Sequence, residues 1–142
     1  MRALFDVNIL LALLDQDHLR HDHARSWWAS ERRHGWASCP LTQNGFLRIV
    51  TQKSYLRPKG MADALAILTL ATSRAEHVFW PDDVSVLNST HVDHGRLLGP
   101  RQITDVYLLA LAVQHGGRLV TLDRGISLAA VRGATAENLV FV

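Results

Sequence analysis

Gln102-Ile103-Thr104-Asp105-Val106-Tyr107-Leu108-Leu109-Ala110-Leu111-Ala112-Val113-Gln114-His115-Gly116-Gly117-Arg118-Leu119-Val120-Thr121-Leu122-Asp123 reads as a helix, a tight Gly-Gly turn and a strand. One aspartate opens the helix and another closes the strand. Ten helical steps from Asp105 to His115 climb roughly 15 Å at ~1.5 Å each. Five strand steps from Arg118 to Asp123 return roughly 16 Å at ~3.3 Å each. Both carboxylates therefore come back to one level on one side of the domain. Within the helix Ile103, Val106, Tyr107, Ala110 and Leu111 follow i, i+3, i+4, i+7, i+8 spacing, while Leu108, Leu109 and Ala112 fill the other side. A helix apolar on most faces is buried, so Asp105 opens a buried element.

Working outward, the rest of the chain repeats strand then helix. Ala3 to Asp6 is a short apolar run that reads as a buried first strand, followed by a helix through Leu14 with Asn8 as its N-cap. Asp22 to Arg33 is helical, its Trp27 and Trp28 serving as core or dimer contacts. Trp36 to Cys39 is a second strand ended by Pro40. Leu41 to Thr51 is a helix with Gln43 in its first turn, and Met61 to Ser73 is another. His77 to Trp80 is a third strand stopped by Pro81. Asp82 and Asp83 then cap a helix that leads to Asp93-His94, and Gly95 to Arg101 is a loop. Asn138 to Val142 is a final strand at an edge. Short connections between alternating elements imply an α/β fold, a three-layer α/β/α sandwich around a central, mostly parallel sheet, in one domain spanning residues 1–142.

Composition agrees with a globular chain: 142 residues, 48% hydrophobic and 20% charged, enough for one sizeable core. The apolar run from Ile9 to Leu14 stops at Asp15, far short of a membrane span. The single cysteine, Cys39, excludes an internal disulfide and fits the cytoplasm; it reads as a small buried apolar residue. His18, His21 and His23 match no familiar zinc spacing and read as solvent-exposed. Net charge is only +2, but thirteen of the fifteen bases are arginine, the side chain suited to bidentate phosphate contacts. Seven bases face one acid between Ala24 and Ala62. Lys53, Arg57 and Lys59 with Tyr55 form a basic and aromatic loop of the kind that suits single-stranded nucleic acid.

Asp6 ends the first strand, and parallel strands share a carboxyl edge, where ligands of α/β sheets bind. Asp6, Asp105 and Asp123 thus converge by topology. Each has an ordinary alternative: Asp6 a strand-end turn, Asp105 a helix cap beside Thr104, Asp123 the start of a turn at Asp123-Arg124-Gly125. Close carboxylates repel unless a cation is present. Arg101 and Arg124 are the nearest bases and are candidate partners; failing them, carboxylate oxygens and waters suit Mg²⁺ or Mn²⁺. Such an ion acidifies and orients water and neutralises charge on a phosphoryl group in flight.

The motifs Leu4-Phe5-Asp6-Val7-Asn8, Ile103-Thr104-Asp105 with its apolar helix, and Leu119-Val120-Thr121-Leu122-Asp123-Arg124 together resemble the PIN-domain family. Within it the chain looks like the VapC-type toxins of type II toxin–antitoxin pairs. The resemblance covers nearly the whole chain. It implies a Mg²⁺- or Mn²⁺-dependent endoribonuclease, a homodimer, and neutralisation by a cognate VapB-type antitoxin. Catalytic and metal-holding roles fall to Asp6, Asp105 and Asp123. Asn8 and Thr104 are expected to orient those carboxylates, Gln43 to position water, and Arg48, Lys53, Arg57 and Lys59 to contact RNA phosphates. The chain departs from the family at one position. Where a glutamate is usual, Leu41-Thr42-Gln43-Asn44-Gly45 carries Gln43, which offers a carbonyl oxygen but no charge. A rival reading is therefore a weakened or inactive module acting through RNA or protein binding. A phosphotransfer or phosphatase site ranks lowest: the first strand lacks a second aspartate after Asp6, and no lysine follows a late strand.

Overall fold

The computed structural model describes residues 1–142. Five short strands, β1 (Ala3–Phe5), β2 (Trp36–Ser38), β3 (His77–Phe79), β4 (Arg118–Thr121) and β5 (Leu139–Phe141), form one sheet in the order β3-β2-β1-β4-β5. Every neighbouring pair is parallel. The helices are α1 (Val7–Leu14), α2 (His21–Glu31), α3 (Pro40–Val50), α4 (Met61–Thr72) and α5 (Ile103–Gln114).

Two cores flank the sheet. Phe5, Ile9, Leu10, Phe46, Val50 and Leu68 join β1 to α1, α3 and α4 on one face. On the other, Val106, Leu109 and Ala110 of α5 pack with Val84, Val92, Ile126 and Val131 from irregular chain. A sheet covered on both sides explains why its strands read as continuous apolar runs rather than alternating ones. The aromatic residues of α2 belong to the first core: Phe5 meets Trp27 and Trp28 edge-on at 6.1 and 5.3 Å and stacks on Trp36 at 5.0 Å.

The chain steps outward from β1 to β2 and β3, then crosses back through α5 to β4 and β5 on the other side of β1. The direction of winding therefore reverses between β1 and β4. Crossovers of one hand leave opposite faces on either side of that point, which opens a crevice at the carboxyl ends of β1 and β4. Asp6 follows β1, and Asp123 lies two residues beyond β4.

Local chemistry sets the helix starts. Asp6, rather than Asn8, is the N-cap of α1, its Oδ1 accepting from the Val7 amide at 2.6 Å; one residue ends the strand and caps the helix, which frees Asn8 for another task. Pro40 ends β2 and supplies the first turn of α3, where a missing amide hydrogen is harmless. Gly45 lets α3 settle against Val7, since a Cβ there would lie 2.6 Å from a Val7 methyl. The helix α5 ends at His115, and Gly116 takes φ +64° to turn the chain into β4, a conformation that favours glycine.

One expected element is absent. Residues 82–93 form turns, with only a short 3₁₀ turn at His94–Arg96, and Asp82 and Asp83 cap no helix. Ser85, Asn88 and Asp93 each accept from the amide two residues on, local bonds that compete with a helical ladder. Asp83 instead pairs with His115 at 3.0 Å, and His115 stacks on Trp80 at 4.6 Å.

Candidate active site

The register of β1 on β4 pairs Phe5 with Val120, so Asp6 comes beside Thr121. The buried Thr121 hydroxyl is the hub of the site. It donates to Asp6 Oδ2 at 2.7 Å and accepts from Asn8 Nδ2 at 3.1 Å and from the Asp123 amide at 3.0 Å. Asn8 Oδ1 accepts from the Leu122 amide at 3.1 Å. Asp123 Oδ1 accepts from the Gly125 amide at 2.8 Å, which shapes the turn after β4. One hydroxyl and one carboxamide thus tie the end of β1, the first turn of α1 and the exit of β4 into a single network.

Asp105 arrives in the first turn of α5 and shares a pocket of about 180 Å³ with Asp123, Arg101 and Ser127. Burial foremost, then the charges of Asp6 and Asp123, push its carboxyl up to about 6. Asp6 is also raised: burial outweighs the hydrogen bonds from Thr121 and Val7, and the charge of Asp123 adds to the rise. The charge of Asp123 thus bears on both Asp6 and Asp105, that of Asp6 on Asp105, and none of the seven ion pairs in the chain involves any of the three. Arg101 and Arg124 do not neutralise them.

No three His, Cys, Asp or Glu side chains converge tightly enough to chelate an ion by themselves. The donor set instead fits a hydrated hard cation, which is held through one or two carboxylates and keeps several waters. Thiol and imidazole ligands of the kind that favour softer metals are absent from the pocket lining.

Other expected residues fall elsewhere. Thr104 is exposed and makes no side-chain hydrogen bond to the carboxylates; Thr121 has the role expected of it. The signal for Thr121 was the strand period, since residues two apart in a strand face one way and Thr121 stands two before Asp123. Gln43 Nε2 donates to Ser38 Oγ at 2.9 Å, and that hydroxyl bonds His77 Nε2 at 2.8 Å. Gln43 therefore lies outside the aspartate network, beside a groove between α3 and α4. Arg57 pairs with Asp17 at 3.0 Å and Lys59 approaches Asp15 at 3.8 Å, while Arg48 and Lys53 are exposed without ion pairs. Cys39 is buried, as expected. His21 Nδ1 bonds the Ala12 carbonyl at 2.8 Å and His18 Nδ1 accepts from the Arg20 amide at 3.0 Å, so these histidines are engaged locally.

A PIN domain family model matches residues 3–132. The chain belongs to the PIN domain family. Its relatives there include Ribonuclease VapC44 of Mycobacterium tuberculosis, 52% identical over 139 residues and covering 98% of both chains. Ribonuclease VapC39 of the same organism is 40% identical over 134 residues, 94% of this chain and 96% of that one. Ribonuclease VapC38 is 40% identical over 142 residues and covers 99% of each. Among solved structures, the VapBC2 complex of Rickettsia felis bound to a DNA fragment from their promoter superposes with a TM-score of 0.57. It has 12% identity and covers 87% of this chain and 89% of that one, a likeness of fold. No helix of the chain is long and apolar enough to cross a membrane.

Proposed function

We infer that this chain is a ribonuclease toxin of a toxin–antitoxin system, an endoribonuclease that hydrolyses RNA phosphodiester bonds with Mg²⁺ or Mn²⁺. The carrying observation is the crevice between β1 and β4, where burial and neighbouring carboxylate charge raise Asp6 and Asp105 and no ion pair neutralises Asp6, Asp105 or Asp123. The near full-length likeness to proteins named Ribonuclease VapC supports the same reading.

Asp6, Asp105 and Asp123 would hold the cation. When bound, it supplies a counter-charge for the phosphate and acidifies water. The chain's own residues do the rest. Thr121 and Asn8 fix the orientation of Asp6 and of the backbone that carries Asp123. Burial and the neighbouring carboxylates, which push the Asp105 carboxyl up to about 6, penalise its anion, a cost that a bound cation would relieve. The test is cleavage of an RNA panel with Mg²⁺, abolished by EDTA and by Asp105→Asn. Full activity in Asp105→Asn overturns the reading.

One observation favours the weakened module. The Gln43 amide is committed to Ser38 and brings no charge to the carboxylates. Absence of cleavage across the panel, with RNA binding retained, would select it.

The partner is a VapB-type antitoxin. An apolar cleft of about 250 Å³ lined by Leu13, Leu14 and Trp28 with Arg25, Arg32 and Arg74 around it suits an amphipathic acidic segment. The exposed Leu65 and Leu70 of α4, with Val78 and Phe79 of the edge strand β3, support a homodimer. The expected place of action is the cytoplasm.

A further inference from the structure

The acidic pocket has an arginine wall that does not neutralise it. Arg101 lines the pocket with Asp105 and Asp123. It stands four residues ahead of Asp105, a spacing at which side chains on a helical surface meet. The two nevertheless form no ion pair, and the influences on Asp105 are burial and the other two carboxylates, not Arg101. Arg124 follows Asp123 directly, yet its guanidinium lies over the Phe141 ring at 5.8 Å.

The loop from Thr51 to Gly60 is the opposite case. Arg57 is satisfied by Asp17 and Lys59 by Asp15, and Tyr55 Oη donates to the same Asp15 at 2.6 Å. These bases clasp the loop onto the turn between α1 and α2. Arg57 and Lys59 are paired within the protein, leaving Lys53 as that loop's one unpaired base, whereas Arg101 forms no ion pair at the pocket it lines.

A pocket with uncompensated anions and one uncompensated cation, Arg101, on its wall complements an anion that arrives with a divalent cation. A phosphodiester backbone does so, and arginine grips phosphate through two parallel hydrogen bonds. Leu98 and Ile103, 82% and 40% exposed, flank Arg101 in the chain and offer apolar surface to an unstacked base.

We propose that Arg101 anchors a backbone phosphate of a single-stranded RNA beside the bond to be cut. The assignment rests on the ribonuclease reading above, and its test separates the two. Binding of a fluorescein-labelled, mixed-sequence single-stranded RNA to the full chain is followed by anisotropy in EDTA across a salt series. Arg101→Gln should flatten the slope of log Kd against log salt by about 0.7. Arg33→Gln, in the turn that leads into β2 at the opposite end of the sheet, should leave it unchanged. Arg101→Lys should recover the slope but not the full affinity, because it keeps charge without the paired bonds. With Mg²⁺, Arg101→Gln should raise KM and leave kcat within about twofold. If wild-type protein cleaves RNA but the slope and KM of Arg101→Gln match wild type, the anchor falls and the ribonuclease reading stands. If Arg33→Gln flattens the slope equally, the binding is diffuse and the anchor falls. If wild-type protein neither binds nor cleaves RNA, both fall.

Discussion

The two ends of the sheet treat their charges in opposite ways. Where β2, β3 and β4 begin, Glu31 and Glu76 each have a cation. Arg118 donates to Glu31 at 2.6 Å, Arg32 pairs with Glu76, and Arg2 donates to the Glu76 and Trp36 carbonyls at 2.7 and 3.2 Å. The Glu31 and Glu76 carboxyls are accordingly held below their ordinary range, chiefly by the hydrogen bonds from Arg118 and Arg32. Where the strands end, Asp6 and Asp105 are pushed the other way. The same carboxyl group is stabilised as an anion at one end and penalised as one at the other. The beginning of the sheet is built to hold together, and its end is left electrostatically incomplete for something to bind.

The largest expected effect breaks the incomplete end. Asp105→Asn or Asp123→Asn should lower Mg²⁺-dependent RNA cleavage by at least about 100-fold, the upper range for loss of a mere outer partner of a metal ligand. Circular dichroism should show both variants folded. A variant with more than a tenth of wild-type turnover would mean that the carboxylate is a turn residue only.

Thr121→Val comes next. It keeps the shape but leaves Asp6, Asn8 and the Asp123 amide without their shared partner. Activity should fall about 10- to 100-fold and stability by about 1–3 kcal/mol, with Thr121→Ser restoring much of both. Denaturant unfolding and single-turnover cleavage read the two effects separately. Thr104→Val, by contrast, should alter neither.

A third expectation concerns pH and metal. The folded Asp105 holds its proton up to about 6, whereas the unfolded chain releases it near ~3.9. Between those values the native state binds more protons, so its stability should decline as pH rises from about 4 to 6, then stay level as far as this group is concerned. Mg²⁺ should raise the melting temperature above that window and progressively less below it. Asp105→Asn should show a smaller pH decline and a smaller Mg²⁺ shift. Thermal melts at fixed ionic strength, with and without EDTA, test each point; an equal Mg²⁺ shift in the variant would remove Asp105 from the cation's site.

The smallest effect belongs to the paired end. Glu31→Gln should lower stability by on the order of 1 kcal/mol near neutral pH and leave cleavage unchanged. Because the folded Glu31 carboxyl is depressed, its contribution is present above the unfolded value of ~4.3 and fades as pH falls through the folded one. A loss of turnover in Glu31→Gln would mean that the two ends of the sheet are coupled.

Local patterns made much of this legible. Apolar runs bounded by Pro40, Pro81 and Gly116 marked strands and turns; strand direction put Asp6 and Asp123 at one edge, and the matched lengths of α5 and β4 brought the helix start with Asp105 to the same edge. What the chain hid was made across long sequence distances. Arg57 and Lys59 read as free bases because Asp17 and Asp15, which neutralise them, lie some forty residues earlier. Thr104 drew attention by sitting next to Asp105, while the hydroxyl that orients Asp6 is Thr121, 115 residues away. The helix expected after Asp83 failed because Ser85, Asn88 and Asp93 turn their side chains onto nearby amides, a competition that hydrophobic spacing does not register.

That missing helix has a consequence for how the molecule opens. Residues 84–97 and 124–134 cover the α5 side of the sheet with turns, short 3₁₀ pieces and one antiparallel bridge, Val92 to Val131. Few cooperative backbone bonds hold this cover, so its amides should exchange with solvent deuterium well before those of α1, α3 or the central strands. The wall bearing Ser127 can thus loosen while Thr121, Asn8 and Asp6 stay clamped. Insertions and substitutions in that cover can reshape what reaches the carboxylates without disturbing the scaffold that aims them.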